Sequence, residues 1–113
     1  MEQTRLEKLL AFFYDEPGDE FLKYALATEY LRLNDTVKAL GFYEDLMNNH
    51  PNYVGTYYHL GKLYEVLGRK PDAVFTYQKG MEAAQKANDK HAFAELQGVY
   101  QVLTGWADEY EDD

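Results

Sequence analysis

Residues 51–81 read PNYVGTYYHLGKLYEVLGRKPDAVFTYQKGM, and the same chemistry stands 34 residues earlier in 17–47, PGDEFLKYALATEYLRLNDTVKALGFYEDLM. Eight of the 31 aligned positions are identical: Pro17/Pro51, Tyr24/Tyr58, Leu26/Leu60, Tyr30/Tyr64, Leu33/Leu67, Ala39/Ala73, Tyr43/Tyr77 and Met47/Met81. Ala27/Gly61 and Leu40/Val74 keep size or polarity without identity. An internal period of this length marks a repeat architecture, in which each unit buries its apolar face only against a neighbour.

Within each unit the spacing is helical. Leu26, Tyr30 and Leu33 follow i, i+4, i+7, and Leu60, Tyr64 and Leu67 do the same. Each run stops at a residue tolerant of left-handed backbone, Asn34 or Gly68. A second helix then starts near Asp35 as N-cap, or with Pro71 in its first turn. Val37, Leu40, Tyr43, Leu46 and Met47 give that helix its apolar stripe, and His50-Pro51 ends the first unit, since a residue before Pro disfavours α geometry. Tyr30, Tyr43, Tyr64 and Tyr77 are expected in the core.

These residues resemble the tetratricopeptide repeat family, in its small bacterial-type two-repeat form. The family's pattern is a bulky residue, Leu-Gly and Tyr at set intervals, then Ala-x3-Phe, then Pro. Unit one offers Leu26-Ala27-x2-Tyr30, Ala39-x3-Tyr43 and Pro51; unit two offers Tyr57-x2-Leu60-Gly61-x2-Tyr64 and Ala73-x3-Tyr77. Lys23 stands at the first bulky site of unit one, and Gln85 where unit two would close with Pro. The resemblance implies an all-α, right-handed solenoid of helical hairpins, with about six antiparallel helices.

The flanks read as half-repeats. Phe93, Leu96, Tyr100 and Leu103 reproduce the first-helix pattern at a displacement of 36, so the preceding helix runs about two residues longer, through Lys86 or Ala87, and Asp89 caps the last. Leu6, Leu9, Leu10, Phe12 and Phe13 form a leading helix. Where full units carry small residues at the hairpin contact, the half-units hold Arg5 and Gln97, the polar faces that the ends of a solenoid need. The expected organisation is one domain over 1–105, with full repeats at about 20–53 and 54–87, half-repeats at about 2–16 and 90–104, and an acidic tail over 106–113.

Composition narrows the function. The chain has 113 residues, 46% of them hydrophobic, with a formal charge of -9 and 18 aromatic residues, 11 of them Tyr. It has the apolar content of a folded chain. Five of the last six residues are acidic. A negative chain without a Lys/Arg stripe repels phosphate backbones, so nucleic acid is not an expected partner. No apolar run approaches the roughly 20 residues needed to span a bilayer, and Glu7 and Lys8 interrupt any signal-like stretch. With no Cys, a reducing, cytoplasmic setting is the expectation.

No catalytic constellation is legible. Ser and Cys are both absent, the eight Gly are scattered, and His50, His59 and His91 lack ligand spacing. His50 reads as a loop residue. No cofactor and no metal is expected, and an enzyme is not.

The resemblance instead implies a concave surface lined by the first helices. Its inward sites fall on Phe21, Tyr24, Ala25, Thr28, Leu31 and Arg32 in unit one, and on Gly55, Tyr58, His59, Lys62, Glu65 and Val66 in unit two. His91, Glu95 and Val102 extend it. Of these, Phe21, Tyr24, Thr28, Leu31, Arg32, Tyr58, His59 and Lys62 are the expected partner-binding residues for an unidentified protein or peptide. The Lys, Asn and Arg clamp with which some members hold a chaperone's C-terminus is not built, since Tyr24, Thr28, His59 and Glu95 occupy those sites. Two alternatives stand beside this. The open face of the leading helix, with Phe12 and Phe13, would make a homodimer; or the Trp106–Asp113 segment would dock in the groove.

Overall fold

The computed structural model describes residues 3–105. Among them lie six α-helices and no strand: α1 (Arg5–Asp15), α2 (Glu20–Arg32), α3 (Thr36–Asn49), α4 (Gly55–Val66), α5 (Lys70–Lys86) and α6 (Lys90–Thr104). The acidic tail and its Trp106 fall outside the described residues. The chain divides into two compact units between Tyr53 and Val54.

In the first unit α2 pairs with α3, and α1 packs on α2. The interface is closed by Leu26, Ala27, Ala39, Tyr43 and Leu46, all fully buried. α1 seats Leu9 in that core and sets Phe13 edge-on to Phe42, ring centroids 5.5 Å apart, while Phe42 stacks on Tyr30 at 5.9 Å. Arg5 is exposed and reaches the carboxylate of Glu29 at 3.6 Å.

Lys23, the one departure from an apolar site, is buried as well. Its Nζ lies 2.7 Å from Asp45 and 3.2 Å from Nε2 of His50. A buried ammonium needs such partners, because desolvating it without them is costly. His50 is therefore more than a turn residue: it caps α3 and joins Lys23 to Glu20, 3.4 Å from its Nδ1. The Lys23 ammonium holds the Asp45 carboxyl below the usual range.

Val37 departs from its reading. It is 81% exposed, because it lies about 200° around α3 from Ala39, on the opposite side from the Ala39/Tyr43/Leu46 stripe. Leu33 and Leu67 are half-exposed, since each stands at the C-cap where its helix is already ending.

In the second unit α5 packs against both α4 and α6, and α4 touches α6 directly. Leu60, Ala73, Tyr77, Ala84 and Leu96 are buried at these contacts. The hairpin contacts are close. A Cβ on Gly61 would lie 2.2 Å from Cε1 of the Tyr77 ring, and one on Gly80 would lie 2.5 Å from Cβ of Tyr57. α5 runs to Lys86, longer than α3 as the displaced register of the last helix requires. Asn34, Gly68 and Asn88 end α2, α4 and α5 with φ of 64°, 73° and 56°.

Candidate functional site

α4 and α6 both lean on α5, and the outer faces of the two helices leave a trough between them. α4 contributes Tyr58, Lys62 and Glu65; α6 contributes Ala94, Glu95, Gly98, Val99 and Val102. The trough is open and has a volume of ≈ 380 Å³. It exists because α6 presents small residues here. Ala94 and Gly98 are one turn apart, and a Cβ added at Gly98 would meet nothing within 4 Å.

The lining combines apolar residues with charged ones. Lys62 places Nζ over the Tyr58 ring, 5.9 Å from its centroid, and 3.9 Å from Glu65. The hydroxyl of Tyr77 reaches through from the core and donates to Glu65. Burial, and then that carboxylate, push the Tyr77 phenol far above the ordinary range. Glu95 is half-exposed, with His91 at 3.7 Å one turn before it. Burial lowers the pKa of His59, with Glu95 opposing, so His59 is held uncharged near neutral pH. Lys62 against Glu65 and Glu95 leaves this surface with one net negative charge.

Tyr58 and Lys62 thus share the trough with Glu65, Glu95 and Val102, while His59 lies half-buried outside its lining. Ala94, Gly98 and Val99 were missed by sequence reasoning. Their signal was the small-residue spacing Ala94-x3-Gly98 on a helix face with no partner.

In the first unit the α2 residues have other surroundings. Phe21 is 60% exposed, and Leu31 is half-buried. Tyr24 sets its ring against Tyr53 at 5.5 Å and Tyr43 at 6.4 Å. Thr28 donates to the Tyr24 carbonyl at 3.0 Å, which leaves its oxygen to accept from the Tyr43 hydroxyl at 3.1 Å. Ala25 is buried and presents no surface. Arg32 is a tethered cation: its guanidinium forks onto Glu29 at 2.9 and 2.6 Å. That pairing holds the Glu29 carboxyl below its usual range.

Among the described residues no group of three His, Asp or Glu is placed to hold a metal, and no helix is long and apolar enough to cross a membrane. The surfaces described position apolar contacts and charges.

No protein-family profile and no curated protein matches the chain. Solved structures do. The solution NMR structure of a tetratricopeptide repeat domain protein from Salinibacter ruber is 45% identical over 79% of this chain and 90% of that one, with a TM-score of 0.75. A crystal structure from the same organism, with the same description, is also 45% identical, covering 77% of this chain and 97% of the other at a TM-score of 0.74. A protein from Bordetella parapertussis matches over 91% of this chain and 90% of its own with a TM-score of 0.76; at 24% identity it speaks to the fold alone.

Proposed function

The chain belongs to the tetratricopeptide repeat family, and on that premise we propose that it is a protein-interaction module whose first-helix surface receives a segment of a partner protein. The observation that carries this reading is the α4–α6 trough, in which Tyr58, Ala94, Gly98 and Val99 lie together with Lys62, Glu65 and Glu95. Exposed apolar surface rimmed by charge is where partners dock. Aromatic side chains such as Tyr58 supply much of the binding energy at such surfaces. In the first unit the same repeat register exposes Phe21 and part of Tyr24.

Affinity capture with the Tyr24→Ala/Tyr58→Ala double variant tests it. Proteins retained by the wild-type chain are expected to be lost from the variant, with far-UV circular dichroism unchanged. Identical capture by a folded variant overturns the reading.

A second reading is self-association through α1, favoured by Leu10, Phe12 and Tyr14, all exposed on that helix. Sedimentation equilibrium at high micromolar concentration decides it, and a monomer there dismisses it.

A further inference from the structure

Resting on the docking reading above, we propose that the α4–α6 trough takes a partner segment in which an apolar side chain is paired with a lysine or arginine. Shape and charge both point to this class.

Gly98 lines the trough, and a Cβ added there would have nothing within 4 Å among the described residues. A glycine inside a 15-residue helix costs stability relative to alanine. Among the described residues no packing calls for it. What it provides is room for the side chain or backbone of an occupant against α6. Val99 and Val102 flank that room, so the occupant is apolar at this point.

The rim selects the charge. Glu95 is half-exposed at the mouth, and Glu65 accepts from Tyr77 while facing Lys62. Lys62, the one cation among the described lining residues, already lies over the Tyr58 ring and beside Glu65. The ring face and the carboxylates are thus a surface that a cation of this chain itself occupies, and an incoming ammonium or guanidinium meets the same groups. An acidic occupant would face two carboxylates against one lysine. The whole chain adds to this bias: at -9 it attracts basic segments from a distance.

The test uses the full chain labelled with nitrogen-15 and three synthetic 14-residue peptides. All three carry leucines at helical spacing, and the intervening positions are lysine, glutamine or glutamate. The lysine peptide is expected to shift the amides of Lys62, Glu95, Gly98 and Val99 saturably. Its Kd should be tighter than that of the glutamine peptide by about tenfold, the scale of a rim charge pair. Glu95→Lys should weaken the lysine peptide by about the same factor.

Gly98→Leu is the decisive variant. It changes no charge, so general attraction of a basic peptide to an acidic protein survives it, and its Cβ has nothing within 4 Å among the described residues, so the added side chain projects into the open space. Loss of saturable shifts in Gly98→Leu supports the proposal, and an unchanged Kd overturns it. Equal binding of the glutamine or glutamate peptide at the same amides overturns the charge assignment while the docking reading stands. A preference for glutamate would give the trough to an acidic segment, the chain's own 106–113 included. Trough shifts that grow with protein concentration alone would give it to a second copy. If no peptide moves these amides, both this proposal and the docking reading of the trough fall.

Discussion

At the scale of single residues the two repeats answer one packing problem in two ways. Tyr43 and Tyr77 occupy equivalent positions, each opposite the small residue of its hairpin. In the first unit that residue is Ala27, and the Tyr43 hydroxyl ends on Thr28. In the second it is Gly61; the ring takes the space of the missing Cβ, and the hydroxyl passes on to Glu65. Gly61→Ala must therefore evict the Tyr77 ring. Overpacking of this kind costs about 1–3 kcal/mol, against a helix-propensity gain of roughly 0.5–1 kcal/mol. Urea unfolding should show a net loss of stability, with no gain at all. Gly98→Ala makes the same chemical change where nothing is in the way, and should stabilise by about 0.5–1 kcal/mol. If the two substitutions moved the midpoint in the same direction, the close approach of α4 and α5 would be wrong.

Thr56 offers a third case. It is fully buried, and among the described residues its hydroxyl has no hydrogen-bond partner. Thr56→Val keeps the shape and removes the desolvated group, so the melting temperature should rise, by an amount reflecting about 1 kcal/mol. A fall would mean that the hydroxyl is satisfied. Residue-scale facts of this sort are the least legible in a sequence. Small residues at the hairpin contact were readable from the repeat, because two backbones meet there. The burial of Lys23 was not, since it depends on Asp45 and His50, 22 and 27 positions away. The Arg32 fork was equally hidden, although Glu29 stands at the i−3 position that favours such pairs.

At the scale of elements the grammar of helix ends carried more. Asp35 and Asp89 accept from the backbone N–H of Lys38 and Ala92, and Asp19 from that of Leu22, each satisfying an amide the helix leaves orphaned. Thr4 and Glu7 make a reciprocal capping box at the start of α1. α4 and α5 have no side-chain cap, and α5 relies on Pro71 in its first turn. Asp89→Ala should thus cost about 0.5–2 kcal/mol and speed amide exchange first in the opening turn of α6. Exchange rising uniformly along the chain would count against a local role. Asp35 and Asp89, and the left-handed ends at Asn34 and Gly68, were readable because short polar residues and glycine have few other uses at those positions. Asp19 and Asn88 carry the same chemistry and were passed over. The face of α6 was harder. Its i, i+4 pair Ala94/Gly98 gains meaning only once α4 is known to lie beside it.

For the molecule as a whole, charge sets the pH range over which it is stable. Unfolded, His59 takes up a proton near its ordinary value of 6.5; folded, burial lowers that value. Between the two values the unfolded chain holds more protons, so stability falls as pH drops below about 6.5. Glu29 and Asp45 act lower down. Arg32 and Lys23 depress their folded values below 4.5 and 3.8, so the stability they contribute is present above those values and is lost as pH falls beneath them. Tyr77 works in the opposite direction. Its folded pKa is raised above 10.0, so the unfolded chain gives up its proton first, and stability declines once the pH passes that value. The urea midpoint should therefore be flat from about pH 7 to 9, fall in two stages on the acid side, and fall again above about pH 10. His59→Gln should flatten the first acid stage and leave the second, while Tyr77→Phe should soften the alkaline limb. A wild-type midpoint unchanged between about pH 7 and 5 would show that His59 gains a proton as readily folded as unfolded. The half-buried surroundings assigned to it beside the trough would then be wrong, along with the view that its uncharged ring leaves the rim of Glu65 and Glu95 negative at neutral pH.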